Sequence, residues 1–242
     1  MPNQVKWQAN AKLWNEFDLG DKPSLRNKLL ALTVIRVGEY GPEEFSTNII
    51  SKDLNIAAGT INYHFGSREG LIAEASIMGY KRYIDRIWEM AETEQENPEK
   101  RLRLWLEEAL DIQSEMHGWG PIFNYPAALP KVSNIINMKF SKQLDEMSQL
   151  NMVRLLYLVE DVQKSKVREF PYNNKKIPAT KLLANPKLIM LTSSIGWSNL
   201  GLAVWYSGRH LPTKQLTIKS ALTRQMMKFH IDTLINLAKS GG

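Results

Sequence analysis

From Leu25 onward apolar residues return every three or four positions almost without pause, and no stretch alternates apolar and polar residues as a half-buried strand does. The periodicity predicts an all-α chain. Turn-forming residues interrupt it at Gly41-Pro42, Gly66, Asn97-Pro98, residues 118–130, residues 170–186 and residues 207–212. These breaks leave short helices before residue 66 and long ones over 68–95, 98–117, 132–166, 186–206 and 214–238. The pattern is that of a small head followed by a bundle. In the first 24 residues, Trp7, Trp14 and Phe17 can share one helix face and pack on the body; a flexible arm is the alternative.

Within the head, Ser46 to Phe65 reads STNIISKDLNIAAGTINYHF, two helix-sized pieces around a turn. Ile50, Leu54, Ile56, Ile61 and Phe65 occupy the positions a helix-turn-helix must bury, and Ser51 is small where the two helices cross. Asn55 falls at the turn, where an asparagine tolerates the left-handed conformation better than most residues. Ser46 is placed to cap the first helix, with Phe45 and Ile50 stapling its entry. Leu29, Leu30, Thr33, Val34 and Val37 of the preceding helix supply a third apolar face.

The second short helix is left with Ala57, Ala58, Gly59, Thr60, Asn62, Tyr63 and His64 facing outward. Small residues at its start let a backbone approach base edges, and the polar tips that follow can bond to bases or phosphates of double-stranded DNA. Arg68 can neutralise a phosphate, and Thr47 and Asn48 flank the same groove. Ordinary surface chemistry on a small packed unit is the competing interpretation.

Leu29 to Gly41, the helix-turn-helix and AAGTINYHFGSREGLI from Ala57 to Ile72 together resemble the amino-terminal domain of the TetR family of transcriptional regulators. Three positions depart from that pattern: Asn55 stands where the family commonly has glycine, Ala57 where it has a capping serine, and Asn62 where it has tyrosine. Without a side-chain cap, a loss of about 1 kcal/mol, the second helix is expected to start raggedly. Asn62 removes a tyrosine phosphate contact and opens a base contact instead.

The resemblance implies an extension over residues 1–24, a DNA-binding helix-turn-helix domain over 25–70, and a larger helical ligand-binding and dimerisation domain over 71–242. It further implies a homodimer on a palindromic operator, the last two long helices forming a four-helix bundle with those of a second copy. A small-molecule effector would release a repressor from its operator. Leu188 to Tyr206, and Ile218, Leu222, Met226, Phe229, Ile231 and Leu234 beyond it, supply apolar surface for such a bundle, or else are buried within one chain.

For the effector, Trp105, Met116, Trp119, Phe123, Tyr125, Met152, Tyr157 and Trp197 are aromatic and methionine residues suited to a bulky apolar ligand, or to ordinary core. His117 beside them is expected to be a satisfied hydrogen-bonding residue. Lys164, Lys166, Arg168, Lys175, Lys176, Lys181 and Lys187, offset locally by Glu169, make either a solvated surface or a site for an anionic effector such as an acyl-CoA.

Composition narrows the alternatives. The chain has 242 residues, 43% hydrophobic and 23% charged, and no cysteine, which removes disulfides, thiolate metal sites and cysteine nucleophiles. The net charge of +6 is no DNA signature, because residues 1–70 are neutral in sum and the excess lies beyond residue 125. Leu188 to Gly208 carries no charge, yet its hydroxyl and amide residues suit a helix buried in protein rather than a membrane span. MPNQVKWQAN lacks the order of a secretory signal, so a cytoplasmic location is expected. No complete catalytic constellation is present: GxGxxG, phosphate-loop and HExxH patterns are missing and the four histidines, at 64, 117, 210 and 230, are dispersed. Glu107, Glu108, Asp111 and Glu115 are expected to be a solvated helix face, and no cofactor is implied.

Overall fold

The computed structural model describes residues 17–40, 44–57, 59–115, 129–168, 183–207 and 221–241, and among these every regular element is a helix. In chain order they are α1 Leu25–Tyr40, α2 Thr47–Leu54, α3 Gly59–Phe65, α4 Arg68–Glu92 and α5 Pro98–Glu115. Then come α6 Pro130–Lys139, α7 Ser141–Lys164, α8 Pro186–Ser207 and α9 Ala221–Ser240. None of the described helices is long and apolar enough to cross a membrane.

Side-chain caps explain where several helices begin. The hydroxyls of Ser24, Ser46 and Ser67 accept from the backbone N–H of Asn27 (3.2 Å), Asn48 (3.3 Å) and Gly70 (3.0 Å). Asn97 Oδ1 accepts from Lys100 at 3.0 Å and Asn185 Oδ1 from Leu188 at 3.1 Å, each just ahead of a proline at the first helical position.

One expected helix is two. The apolar pattern runs through residues 132–166 without a gap, but the backbone turns at Phe140 (φ −128°, ψ 3°), whose N–H returns to Ile136 O at 2.8 Å. The last expected helix, 214–238, is described from Ala221 onward and continues to Ser240.

The chain divides into two compact units, Met1–Arg82 with Glu115–Leu144, and Tyr83–Ser114 with Asp145–Gly242. The core of the first contains Leu29, Leu32, Ile50, Ile61, Leu71 and Ile72, all without solvent exposure. Burying each such side chain contributes about 1.5–3 kcal/mol. Phe17 is also buried, at a turn rather than on a helix; Trp7 and Trp14, its expected companions, lie outside the described residues.

In the second unit, α8 and α9 pack on each other, and Gly196 lets Leu155 of α7 come close to α8. Trp88, Ile87, Leu102, Leu106, Leu156 and Ile195 make the interior. Arg101 is wholly buried among them, donating to the carbonyls of Glu94 (2.7 Å) and Arg168 (3.4 Å). Glu108, expected on a solvated face, is buried too, because Arg86 Nε meets its carboxylate at 2.7 Å. Glu107 pairs with Arg103 one turn away, and Asp111 is exposed.

Candidate nucleic-acid interface

The head is built as the apolar spacing requires. Ser46 caps α2, Phe45 and Ile50 are buried at its entry, and Asn55 ends it in the left-handed conformation (φ 52°, ψ 52°). Ile56 N–H then closes onto Ser51 O at 2.9 Å, so the turn is held by backbone as well as by packing. Ser51 is buried, and Leu54 and Ile56 are half-buried at the crossing. Leu29, Leu30, Thr33, Val34 and Val37 of α1 form the opposing face, all buried.

α3 is short. It starts at Gly59, two residues after Ala57, whose carbonyl accepts from Thr60 N–H at 2.9 Å without a side-chain cap. It ends at Gly66 (φ +75°), whose N–H returns to Asn62 O at 2.8 Å. Gly70 serves a different purpose: a Cβ there would lie 2.2 Å from Phe65 O, so α4 can pass the end of α3 only with hydrogen at that position.

Four of the seven residues expected to face outward are exposed. Ile61 and Phe65 point inward, while Ala57, Gly59, Asn62 and Tyr63 are exposed, Tyr63 at 86%. Thr60 and His64 are half-buried, and the His64 ring meets Tyr63 edge-on at 5.2 Å. Thr47 is half-buried and Asn48 exposed at the start of α2. Ala58 lies outside the described residues. Arg68, expected on a phosphate, is engaged inside the head: its Nε donates to Phe45 O at 3.0 Å, and its guanidinium lies 5.7 Å from the Phe45 ring centroid.

Two ion pairs tie α1 to its neighbours, and sequence reasoning missed both. Arg36 Nε meets Asp53 Oδ2 at 2.7 Å, joining α1 to α2. Arg26 makes a two-pronged pair with Glu74, joining α1 to α4, and lies 5.0 Å from the Phe65 ring centroid. Sequence separations of 17 and 48 residues carry no periodic signal that would mark these pairs. Arg26, Glu74, Phe65 and His64 border an open cleft of about 410 Å³, walled on its far side by Ile135, Lys139 and Phe140.

Residues 29–75 match the family model of bacterial regulatory proteins, tetR family. The chain carries the TetR-family DNA-binding domain. The TetR match covers the helices whose geometry is described above, from Leu29 of α1 into α4. Among solved structures, a ketosteroid transcriptional regulator of Mycobacterium tuberculosis is similar, at 14% identity and a TM-score of 0.51, over 90% of this chain and 96% of that one. A TetR transcriptional regulator from Streptomyces coelicolor is similar at 17% identity and a TM-score of 0.48, over 88% of this chain and 98% of that one. At 14% identity the first likeness is one of fold alone. No curated protein matches the chain.

The residues expected to line an effector site separate in the structure. Trp105 and Tyr157 are buried in the second unit and Met152 is half-buried. The Trp105 ring stands 6.0 Å from that of Trp88, whose Nε1 donates to Asn151 Oδ1 at 2.8 Å. Trp197 does not join them; it is 74% exposed, because Leu188, Leu191, Ile195 and Asn199 take the inward face of α8. Met116, Trp119, Phe123, Tyr125 and His117 lie outside the described residues.

Of the basic run, Lys164 and Arg168 are neutralised by α7 itself. Both pair with Glu160, and Arg168 also meets Asp161 at 3.2 Å and lies over the Tyr157 ring. Burial acts to raise the Glu160 carboxyl, but hydrogen bonds from Lys164 and Arg168 outweigh it and hold the group below its ordinary value. Lys166 and Lys187 are exposed, and Lys175, Lys176 and Lys181 lie outside the described residues. The described residues hold no group of three or more histidine and carboxylate side chains placed to bind a metal.

Proposed function

We propose that this TetR-family protein is a ligand-responsive repressor: it binds a palindromic operator as a homodimer in the cytoplasm and leaves it when a small hydrophobic molecule binds. The observation that carries the DNA-binding part is the division of α3, with Ile61 and Phe65 buried in the head while Asn62 and Tyr63 are exposed. Thr47, Asn48, Ala57, Ala58, Gly59, Thr60 and His64 form the surrounding surface in this reading, and Arg68 supports it from behind.

Dimerisation is supported by an apolar stripe that stands exposed among the described residues. On α8, Met190, Trp197 and Leu200 are exposed, and on α9 Leu222, Met226 and Phe229, the last at 75%. Their spacing puts each set on one helix face, while Ile231 and Leu234 turn inward. Isologous packing of these two helices against a second copy would bury the stripe and fix two heads on adjacent half-sites.

Ligand binding is supported by buried polar atoms with no hydrogen-bond partner among the described residues: Trp105 Nε1, Thr192 Oγ1 and Asn199 Oδ1. Leaving such atoms unmatched is costly, and a hydroxyl or carbonyl on an otherwise apolar molecule would satisfy one of them. A ligand that prefers one head spacing shifts the dimer away from DNA by its differential affinity.

Selection of bound duplexes from random DNA with the purified protein tests this. The expected product is an inverted repeat that binds two chains and is released by members of a hydrophobic compound panel. Enrichment of no repeat refutes the proposal.

A further inference from the structure

We infer that Gly59 and Asn62 together form the base-reading element of α3, and that Asn62 selects an adenine, hence one A·T pair, in each half-site. This rests on the DNA-binding reading above and adds to it which base pair the helix recognises.

Among the described residues nothing calls for glycine at position 59. A Cβ built there meets no atom within 4 Å, and its φ lies outside the left-handed region. Gly66 and Gly70 differ: one has φ +75° and the other has Phe65 O at 2.2 Å from its would-be Cβ. The missing side chain at Gly59 therefore lowers the helix surface toward the outside, and exposed Ala57 extends that low ground. A groove wall or base edge can come close there as it cannot over a long side chain.

Asn62 lies three residues further, on the same face. Its backbone carbonyl is held by Gly66 N–H at 2.8 Å, while its exposed amide engages none of the described residues. The amide is thus carried on a fixed base and is unspent among the described residues. It presents one acceptor and one donor side by side, and in the major groove adenine offers the matching donor and acceptor at N6 and N7. Guanine offers two acceptors and leaves the amide oxygen unmatched. Tyr63, next along the helix, is the other exposed hydrogen-bonding side chain of α3, and its single hydroxyl suits a phosphate oxygen.

Random-duplex selection with wild type, Asn62→Ala and Gly59→Ala tests the inference. Wild type should enrich an inverted repeat with one invariant adenine in each half-site. Asn62→Ala should enrich the same repeat with that position relaxed, and bind the wild-type site about 10- to 100-fold more weakly. Gly59→Ala should keep or raise the thermal midpoint, since the added methyl meets nothing and favours helix, yet lose affinity for every duplex. A repeat that survives Asn62→Ala with every preference intact, or a Gly59→Ala protein that binds as wild type does, overturns this inference alone. Failure of wild type to enrich any repeat overturns the regulator reading as well.

Discussion

Arg68 reaches back across the head to Phe45, donating from Nε to its carbonyl at 3.0 Å and laying its guanidinium 5.7 Å from the ring centroid. Phe45 precedes the Ser46 cap, so this contact ties the first turn of α4 to the entry of α2. Arg68→Ala should lower the head's stability by about 1–2 kcal/mol, read from urea unfolding, the low end for a charged donor because the side chain is part exposed. Arg68→Lys should recover little, since an ammonium lacks the flat fork that meets carbonyl and ring together. Unchanged stability with weakened DNA binding would instead assign the guanidinium to a phosphate.

Much of the head is legible in the sequence because its requirements are local. Ser46 as cap, Asn55 in the left-handed turn and the inward set Ile50, Ile61 and Phe65 follow from spacing and residue chemistry alone. The pairs Arg36–Asp53 and Arg26–Glu74 do not, since they depend on how helices cross. The break at Phe140 is hidden because apolar spacing continues through it. Trp197 is hard to place from sequence for a related reason: beyond Lys187 α8 carries no charge, so no charged stripe marks which side faces out.

Two buried threonines should respond oppositely to loss of a hydroxyl. Thr33 Oγ1 donates to Leu29 O at 2.7 Å, whereas Thr192 Oγ1 has no hydrogen-bond partner among the described residues. Thr33→Val should therefore cost about 1 kcal/mol, and Thr192→Val should be neutral or stabilising by a similar amount without ligand. If Thr192 contributes to effector recognition, that variant also needs more compound to release DNA. Thermal unfolding of both variants checks the sign.

The exposed stripe on α8 and α9 makes a prediction for assembly. Phe229→Asp puts a carboxylate on the proposed dimer face, where it would be buried without a partner, and should yield monomers by sedimentation. Helix content should remain, because the side chain is 75% exposed. A variant that stays dimeric places the interface elsewhere.

Acid should loosen the second unit in a defined window. Burial holds the His230 imidazole below its ordinary 6.5, so the folded state favours the neutral ring. An unfolded chain takes up the proton first as pH falls, so this contribution is present above about pH 6.5 and is lost as pH falls through the folded value. His230→Leu should flatten the thermal midpoint between pH 7.5 and roughly 5.5, at fixed protein concentration, relative to wild type. An equal slope in both proteins would assign the dependence to other groups.

Contact between the outward face of α3 and DNA is measured directly by fluorescence anisotropy with a selected duplex. Tyr63→Ala is compared with Met138→Ala on α6, since the two side chains are 86% and 83% exposed and neither removal should disturb folding. Tyr63→Ala should bind at least about tenfold more weakly while Met138→Ala binds as wild type does. Equal affinity of the two variants, with both folded, would contradict that contact.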